Sequence, residues 1–401
     1  MDKRLKIIYL IVFIDVIVGT MLSPVLPDMV KGLDTPQFWL GLSTALFTGI
    51  QLFSAPILGI MADRLGRRPL FLLAAFGTLF FNLMLLPQRW WALYVSRAGD
   101  GFTNGIHTAI RAAVTDISKP EDLYKNMGTE GSIASLGVVI GPALTGTVLV
   151  GLNLPTGQQL PVIIAVALGL AVLNVGLCWF LPETHRNLSP GARIDWQEVR
   201  MLLYRSLNIS NLYQRLKQKS EKSPNLLILV QMQMLMTLCL GYYWYYVNYL
   251  TLGGLNFSGE QIAYNFMFFG LLNAGTSLVF FRFFAERVDK KIAILVCSAV
   301  GVLVLLAYAW ATTHLEIYLI CIIDCLTISY IIGILDGLIG KETSDDDRGE
   351  IFGLAQGLNA VANFATTLIF TALSLISPEL PFYWFALCLA AVFGLGLKMR
   401  V

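Results

Sequence analysis

Long apolar runs alternate with short polar stretches along almost the whole chain. A helix that crosses a bilayer needs about 20 mostly apolar residues. Barrel strands are excluded, because they run about 10 residues with strict alternation. The pattern therefore predicts an all-α membrane protein with twelve transmembrane helices, at 6–26, 38–61, 69–87, 91–115, 128–151, 161–181, 225–251, 261–284, 291–311, 316–340, 350–373 and 380–398.

One polar connection is much longer than the others and divides the chain. It predicts an N-terminal six-helix half at 1–181, a cytoplasmic linker at 182–224 and a C-terminal six-helix half at 225–401. Within the linker, residues 194–207 place several apolar side chains broadly on one helical side. This segment is either a helix lying on the membrane surface or a solvated linker.

Lys and Arg in the loops give the orientation. With the N-terminus inside, 23 of the 28 Lys and Arg residues fall on the cytoplasmic side, and only Lys31 and Arg89 lie in outer loops. Basic loops face the cytoplasm in membrane proteins. We expect both termini to be cytoplasmic.

Composition narrows the function. Charged residues make up only 13% of the chain and hydrophobic residues 56%, whereas soluble domains carry about 25% charged residues. An ordinary soluble enzyme, a disordered chain and a nucleic-acid binder are excluded. Three His, six Cys without a CxxC pair and the absence of a GxxxxGK[ST] loop predict a non-enzyme with no metal or cofactor.

The two predicted halves repeat one short pattern. Ala62-Asp63-Arg64-Leu65-Gly66-Arg67-Arg68 joins spans two and three, and Ala285-Glu286-Arg287-Val288-Asp289-Lys290-Lys291 joins spans eight and nine. An acid, an Arg, two other residues and two bases recur at equivalent places. This repeat indicates a duplicated transporter, whose substrate site would lie near the midplane between the halves.

The first of these loops carries a family resemblance. The stretch from Gly59 to Pro69, GIMADRLGRRP, resembles the loop signature of the major facilitator superfamily. In span five, Gly137-Val-Val-Ile-Gly141-Pro142-Ala-Leu-Thr-Gly146 resembles the antiporter motif of its drug:proton exporters, with Thr147 where a second Gly is frequent. In span four, Arg97-x-x-x-Gly101 resembles the conserved Arg motif of the same drug:proton exporters. In span one, Phe13-Ile-Asp15 with Pro24-Val-Leu-Pro27 resembles the opening of tetracycline-type efflux transporters, and Asn82 replaces the acidic residue that those transporters have in span three.

The resemblance implies the major facilitator fold and a transport function. It implies proton-coupled export of a small, amphiphilic, drug-like compound by alternating access, across a bacterial inner membrane. The alternatives are a metabolite or siderophore-like transporter, working as an exporter or a proton symporter, and a non-transporting membrane receptor. The residues expected to form the gates are Asp63, Arg64, Gly66, Arg67, Arg68, Gly137, Gly141, Pro142 and Gly146. Asp63 is expected to latch near the start of span eleven, where a helix N-terminus attracts a carboxylate.

Charged groups inside a bilayer are costly and usually face a cavity or a partner. Asp15 lies halfway along span one and is a candidate proton carrier; the alternative is a salt-bridged anchor. Arg97, Asp100, Asn104 and His107 recur at helical spacing along span four. We expect Arg97 to tune a carboxylate and Asp100 and His107 to take part in proton coupling, although Asp100 neutralising Arg97 and a structural His107 are the alternatives.

The C-terminal half supplies the remaining predicted cavity residues. They are aromatic, amide or acidic and, with Asn104, are Gln231, Tyr242, Tyr245, Asn273, Asp324, Gln356 and Asn359. Tyr side chains at such a position also form interfacial belts. Asp324 is expected either to contact a cationic substrate or to pair with Arg282 or Arg97. Asp336 is expected to form a gate with Lys341. The expected partners are a small-molecule substrate, protons and the lipid bilayer, with no nucleic acid, and the chain is expected to function as a monomer.

Overall fold

The computed structural model describes residues 2–103, 107–119, 122–153, 155–185, 197, 200–201, 208–220, 223, 225–279, 288–343 and 348–399. These residues form α-helices and one 3-10 turn, Leu26–Met29, and none of them is in a strand. The helices are α1 (Lys3–Met21), α2 (Pro36–Leu65), α3 (Arg67–Leu83), α4 (Trp90–Thr103), α5 (His107–Ile117), α6 (Leu123–Leu152), α7 (Thr156–Phe180), α8 (Ile209–Lys219), α9 (Leu226–Cys239), α10 (Gly241–Leu252), α11 (Gly259–Val279), α12 (Lys290–Trp310), α13 (His314–Cys325), α14 (Ile328–Glu342), α15 (Arg348–Leu373) and α16 (Leu380–Lys398).

Local sequence fixes several helix ends. The Asp2 side chain accepts the Arg4 N–H at 2.9 Å and caps α1. Thr313 and Glu316 form a capping box at the start of α13. Gly66 separates α2 from α3 at φ 100°, a backbone conformation that glycine adopts without steric cost.

Seven of the helical stretches in the described part of the chain are long and apolar enough to cross a membrane. They are Pro36–Leu65, Asn126–Leu152, Gly157–Phe180, Leu226–Leu252, Lys290–Trp310, His314–Glu342 and Leu380–Lys398. The other five predicted runs fall on α1, α3, α4 with α5, α11 and α15. Within the described residues, each predicted apolar run therefore coincides mainly with helix, and the chain is an integral membrane protein.

The helices group into two compact units. Unit 1 comprises Met1–Leu203 and Phe257–Met267, and unit 2 comprises Tyr204–Asn256 and Phe268–Val401. In unit 1, α1 packs along α6 and α7, α2 packs on α4, and α3 packs on α7. Its core includes Ile8, Val12, Phe71 and Cys178, all with less than 2% of their surface exposed.

In unit 2, α9 packs on α14, α15 and α16, and α12 packs on α16. The short helix α8 lies on α15, with Leu212 and Leu216 buried. Most of the segment 194–207, for which a surface helix was one expectation, lies outside the described residues. In the described part of the linker, helix α8 follows this segment.

Candidate functional site

A polar pocket in unit 1 contains the predicted proton-coupling residues of α1 and α4. Helices α1, α3 and α4 bring these side chains together, because the polar positions at this level of each helix face the same pocket. The residues that line the pocket are Asp15, Gly19, Leu22, Leu26, Thr78, Asn82, Leu85, Leu93, Ser96, Arg97 and Asp100. Asp15, Arg97 and Asp100 are all partly buried.

Asp100 interacts with both of the other charged side chains in this pocket. It interacts with the Asp15 carboxylate, which Thr78 also contacts, and with the Arg97 guanidinium. The Arg97 guanidinium carbon also lies 5.9 Å from the centroid of the Phe47 ring, a cation–π geometry. The pocket thus holds two acids and one base, so one additional positive charge, such as a proton, would balance it.

Two of the predicted pocket residues are not described. Asn104 lies outside the described residues, as does the side chain of His107, whose backbone begins α5. Thr78 and Ser96 line the pocket and were not predicted. Hydroxyl residues are common in membrane helices, so their sequence positions carried no specific signal.

The glycine motif of α6 brings that helix into close contact with α1. A Cβ atom added at Gly137 would lie 2.9 Å from the Val16 side chain, and one added at Gly141 would lie 2.1 Å from Thr20 Oγ1. The Thr145 hydroxyl donates to the Met21 carbonyl at 2.5 Å. These contacted residues of α1 begin directly after Asp15, so the small residues of α6 set the position of the helix segment that follows it.

The other motif residues of α6 have different surroundings. Pro142 is buried within the helix. A Cβ atom at Gly146 would lie 3.0 Å from Ala263 Cβ, in the part of α11 that belongs to unit 1. Thr147 is exposed and donates to the Ala143 carbonyl, so the replacement of a second Gly does not disturb the contact with α1.

A network of charges surrounds the turn between α2 and α3. Arg67 Nη1 lies 2.6 Å from Asp63 Oδ1, and Arg67 Nε lies 3.1 Å from Asp116 Oδ2 at the end of α5. Arg67 is almost fully buried, whereas the Asp63 side chain is 65% exposed. Arg64 is partly buried and Arg68 donates to the Trp179 carbonyl at 2.8 Å. The turn is therefore tied to α5 and α7 within unit 1.

Glu183, which the sequence analysis did not identify, completes this network. Its two carboxylate oxygens accept the backbone N–H groups of Arg67 and Arg68 at 2.9 and 3.1 Å. Burial alone would raise the pKa of Glu183, but backbone hydrogen bonds from His185, Arg67, Arg68 and Thr184 outweigh burial and hold the pKa below its usual range. A residue after α7 thus caps the first turn of α3.

Asp324 lies at the centre of an aromatic cluster in unit 2. It is fully buried, and the Tyr242 hydroxyl lies 2.8 and 2.9 Å from its two oxygens. The Tyr308 hydroxyl lies 3.0 Å from Asp324 Oδ2 and 3.3 Å from Cys321 Sγ. Phenol groups rather than a described cation surround this carboxylate.

The other predicted cavity residues of unit 2 have varied surroundings. Tyr245 is fully buried and donates to the Pro378 carbonyl at 2.7 Å, and Gln231 donates to the Tyr213 hydroxyl of α8 at 2.9 Å. Gln356 is exposed, and Asn359 is partly buried with an amide oxygen that lacks a described partner. Asn273 is partly buried on α11. Asp336 accepts a hydrogen bond from Gln233 at 2.6 Å, and Arg282 lies outside the described residues.

Comparison with known proteins shows that this chain is similar to resistance proteins and to a transporter. The chain is 24% identical to the tetracycline resistance protein, class C, of Escherichia coli over 378 residues, which cover 93% of this chain and 90% of that protein. It is 24% identical to the quinolone resistance protein NorA of Staphylococcus aureus strain MSSA476 over 395 residues, covering 96% and 93%. The human organic anion transporter MFSD10 (TETRAN) shares the fold, with a TM-score of 0.67 at 21% identity, covering 99% of this chain and 100% of that structure.

The family resemblance predicted from the loop and span-five motifs is confirmed by these matches. Residues 8–367 match the Major Facilitator Superfamily, which is most of the chain and includes both motifs. The likeness to tetracycline-type efflux transporters extends beyond the N-terminal half in which the motifs lie. This chain belongs to the Major Facilitator Superfamily.

Proposed function

We propose that this transporter exports a small, amphiphilic, drug-like compound in exchange for protons by alternating access. In this proposal the chain crosses a bacterial inner membrane twelve times, with both termini in the cytoplasm, and works as a monomer. Resistance proteins for tetracycline and quinolones among its relatives support an amphiphilic organic substrate. A metabolite or siderophore-like cargo, proton symport and a non-transporting receptor are the alternatives.

The observation that carries the proposal is the pocket containing Asp15, Arg97 and Asp100. A carboxylate inside a membrane helix is costly to keep unless it has a function or a partner. Here Asp15 has a hydroxyl and a second acid nearby, while Arg97 interacts with Asp100. Asp15 can therefore gain or lose a proton as access changes, and Arg97 and Asp100 set how strongly the proton is held.

The contacts between α6 and α1 support a link between gating and proton release in the same transport cycle. Gly137 allows α1 to lie against α6 at the level of Asp15, and Gly141 allows the same contact one helical turn further along α1. Rotation of one helix would therefore move the other, so a change in the packing of α6 would alter the surroundings of Asp15. In the proposed cycle this contact links gating to proton release.

Proton movement in proteoliposomes tests the proposal. Vesicles that contain purified protein and a pH-sensitive dye are exposed to tetracycline, norfloxacin and a broader panel of compounds. Substrate-driven proton exchange by the parent, its loss in Asp15→Asn and its retention in Asp34→Asn are the expected results. Asp34 is an exposed carboxylate in the loop before α2 and serves as the matched control.

The other outcomes separate the alternatives. Proton movement in the same direction as the substrate would indicate symport. Compound binding without proton or compound flux would indicate a receptor. Normal coupling in Asp15→Asn would exclude Asp15 as the proton carrier and direct attention to Asp100.

A further inference from the structure

The linker helix α8 is too short and too polar to be stable by itself. It has 11 residues, and isolated helices shorter than about 12–15 residues are marginal in water. The Asn208 side chain caps it by accepting the Asn211 N–H at 3.0 Å. Among its described side chains only Leu212 and Leu216 are buried, and their spacing places them on one side of the helix. The helix therefore depends on the surface that covers these two leucines.

That surface is formed by α15 and α9 of the same unit. A Cβ atom added at Gly357 of α15 would lie 3.4 Å from Leu212 Cδ1, so the leucine packs where α15 has no side chain. Gln231 of α9 donates from Nε2 to the Tyr213 hydroxyl at 2.9 Å. Gln231 was predicted to line the substrate cavity. In this structure its amide group is engaged by the linker instead.

The contacts of α8 lie inside the predicted spans rather than at their ends. At about 1.5 Å per residue, Gln231 lies about 8 Å from the start of α9, and Gly357 lies about 14 Å from the start of α15. The exposed side chains of α8 include Asn211, Gln214 and Lys217. Amide and charged groups at this depth are costly in contact with lipid. We therefore place α8 in a water-accessible space beside α9 and α15.

The chain that follows α8 is attached separately to a third helix of unit 2. The Ser223 hydroxyl donates to Glu342 Oε2, and Asn225 Nδ2 donates to Glu342 Oε1 at 3.3 Å. Glu342 is the last residue of α14. This attachment does not involve α8 itself. The helix can therefore leave α15 while the chain behind it stays bound to unit 2.

We propose that α8 is an autoinhibitory lid, which in its docked position closes the cytoplasmic approach to Gln231 and which undocks when a substrate enters. This inference rests on the proposed export function and specifies how substrate entry is regulated. A substrate has to compete with the docked lid. Its apparent affinity is therefore reduced in proportion to the fraction of molecules in which α8 is undocked.

Thiol labelling of the purified full-length protein tests docking without any transport. Leu212 covers the position of Gly357, so the rate at which a water-soluble maleimide labels Gly357→Cys reports how often α8 undocks. The six native cysteines are buried, and the protein without this substitution gives the background. Adding Tyr213→Phe removes one hydrogen bond and should raise the labelling rate about twofold to tenfold. Adding Gln214→Ala, an exposed position of the same helix, should leave the rate unchanged. Equal rates with and without Tyr213→Phe would overturn the proposal.

The same substitution has an expected effect on transport. In proteoliposomes, Tyr213→Phe should lower the substrate concentration for half-maximal export about twofold to tenfold, because more molecules have an undocked lid. Gln214→Ala again serves as the control. An unchanged or higher half-maximal concentration in Tyr213→Phe would contradict competition between the lid and the substrate.

A reversible cross-link tests whether the lid opens during transport. Leu212→Cys and Gly357→Cys are combined and joined in proteoliposomes by a short bifunctional methanethiosulfonate. We expect the cross-link to abolish transport and reduction by dithiothreitol to restore it, while each single substitution keeps its activity under the same treatment. Full transport by the cross-linked protein would show that α8 is a fixed strut. Since labelling needs neither substrate nor a proton gradient, failure of the lid is distinguishable from failure of the proposed proton exchange.

Discussion

Glu183→Gln is the substitution with the clearest expected effect on stability. α3 begins directly after Gly66 and has no side-chain cap of its own. The first N–H groups of a helix lack partners within the helix, and here Glu183 accepts those of Arg67 and Arg68 from 115 or more residues away. The substitution preserves the shape of the side chain but removes its charge and replaces one acceptor oxygen with an NH₂ group.

The expected cost follows from two effects. Loss of a helix cap costs about 0.5–2 kcal/mol, and loss of a negative charge at a helix N-terminus costs about 0.3–1 kcal/mol at an exposed site. The remaining amide oxygen retains part of the first effect, and solvent screens the second because Glu183 is only partly buried. We expect a total of about 1–2 kcal/mol, or about 2–4 °C in melting temperature for each kcal/mol in a unit of this size.

The pH dependence has a defined sign. The pKa of Glu183 is lowered in the folded protein, so the charged form contributes stability above the usual Glu pKa of about 4.3. That contribution is lost as the pH falls through the lower, folded-state pKa. The difference in melting temperature between parent and Glu183→Gln should therefore be constant near pH 7 and shrink below about pH 4.3.

Thermal unfolding of the purified protein in detergent, followed by intrinsic fluorescence from pH 3.5 to 7.5, measures both effects. Asp34→Asn, which removes an exposed carboxylate, should leave the melting temperature unchanged. An equal melting temperature for Glu183→Gln and parent at pH 7 would refute the assigned capping role. A difference that persists undiminished at the acidic limit would show that the carboxylate charge is not its cause.

Two further substitutions examine the packing of each unit. Gly141→Ala should lower the melting temperature and slow transport, because its Cβ would lie 2.1 Å from an α1 side chain and overpacking costs about 1–3 kcal/mol. The control Gly128→Ala, which has open space around it on the same helix, should be tolerated. Equal effects of the two substitutions would contradict the close contact between α6 and α1. Asp324→Asn should lower the melting temperature and weaken the binding of all substrates equally, because two tyrosine hydroxyls contact the buried carboxylate. A normal melting temperature with a selective loss of binding for cationic substrates would instead place Asp324 in the substrate site.

Hydropathy was sufficient to locate the long apolar helices, because burial in a bilayer demands about 20 apolar residues per crossing wherever a helix spans it. It did not locate α8, which is short and polar. The loop motif likewise identified Asp63 and Arg67, which contact each other four residues apart. Sequence reasoning could not identify Glu183, because backbone N–H groups carry no residue-specific signal and their acceptor follows a different helix. Helix ends that are capped from a distant segment leave no pattern at the helix itself.

Asp324 and Asp336 show a second limit of what helical spacing in the sequence can predict. Both are acids within one predicted span, and spacing alone gives each a helical face without showing what covers that face. Tyr308 of α12 and Tyr242 of α10 enclose Asp324, whereas glycines surround Asp336 on α14 and leave it exposed. The covering side chains come from other helices, so only packing distinguishes an enclosed acid from an accessible one.

The two units therefore treat acids inside the membrane in different ways. Unit 1 places Asp15 and Asp100 in one pocket with Arg97, where a proton would balance the charge. Unit 2 encloses Asp324 among phenols and exposes Asp336 beside an amide. An acid whose two oxygens are held by phenol hydroxyls is suited to a structural role, because release of those contacts would leave buried polar groups without partners. An acid beside a second acid and a base is better suited to gain and lose a proton, because its neighbours change the balance of charge in the pocket.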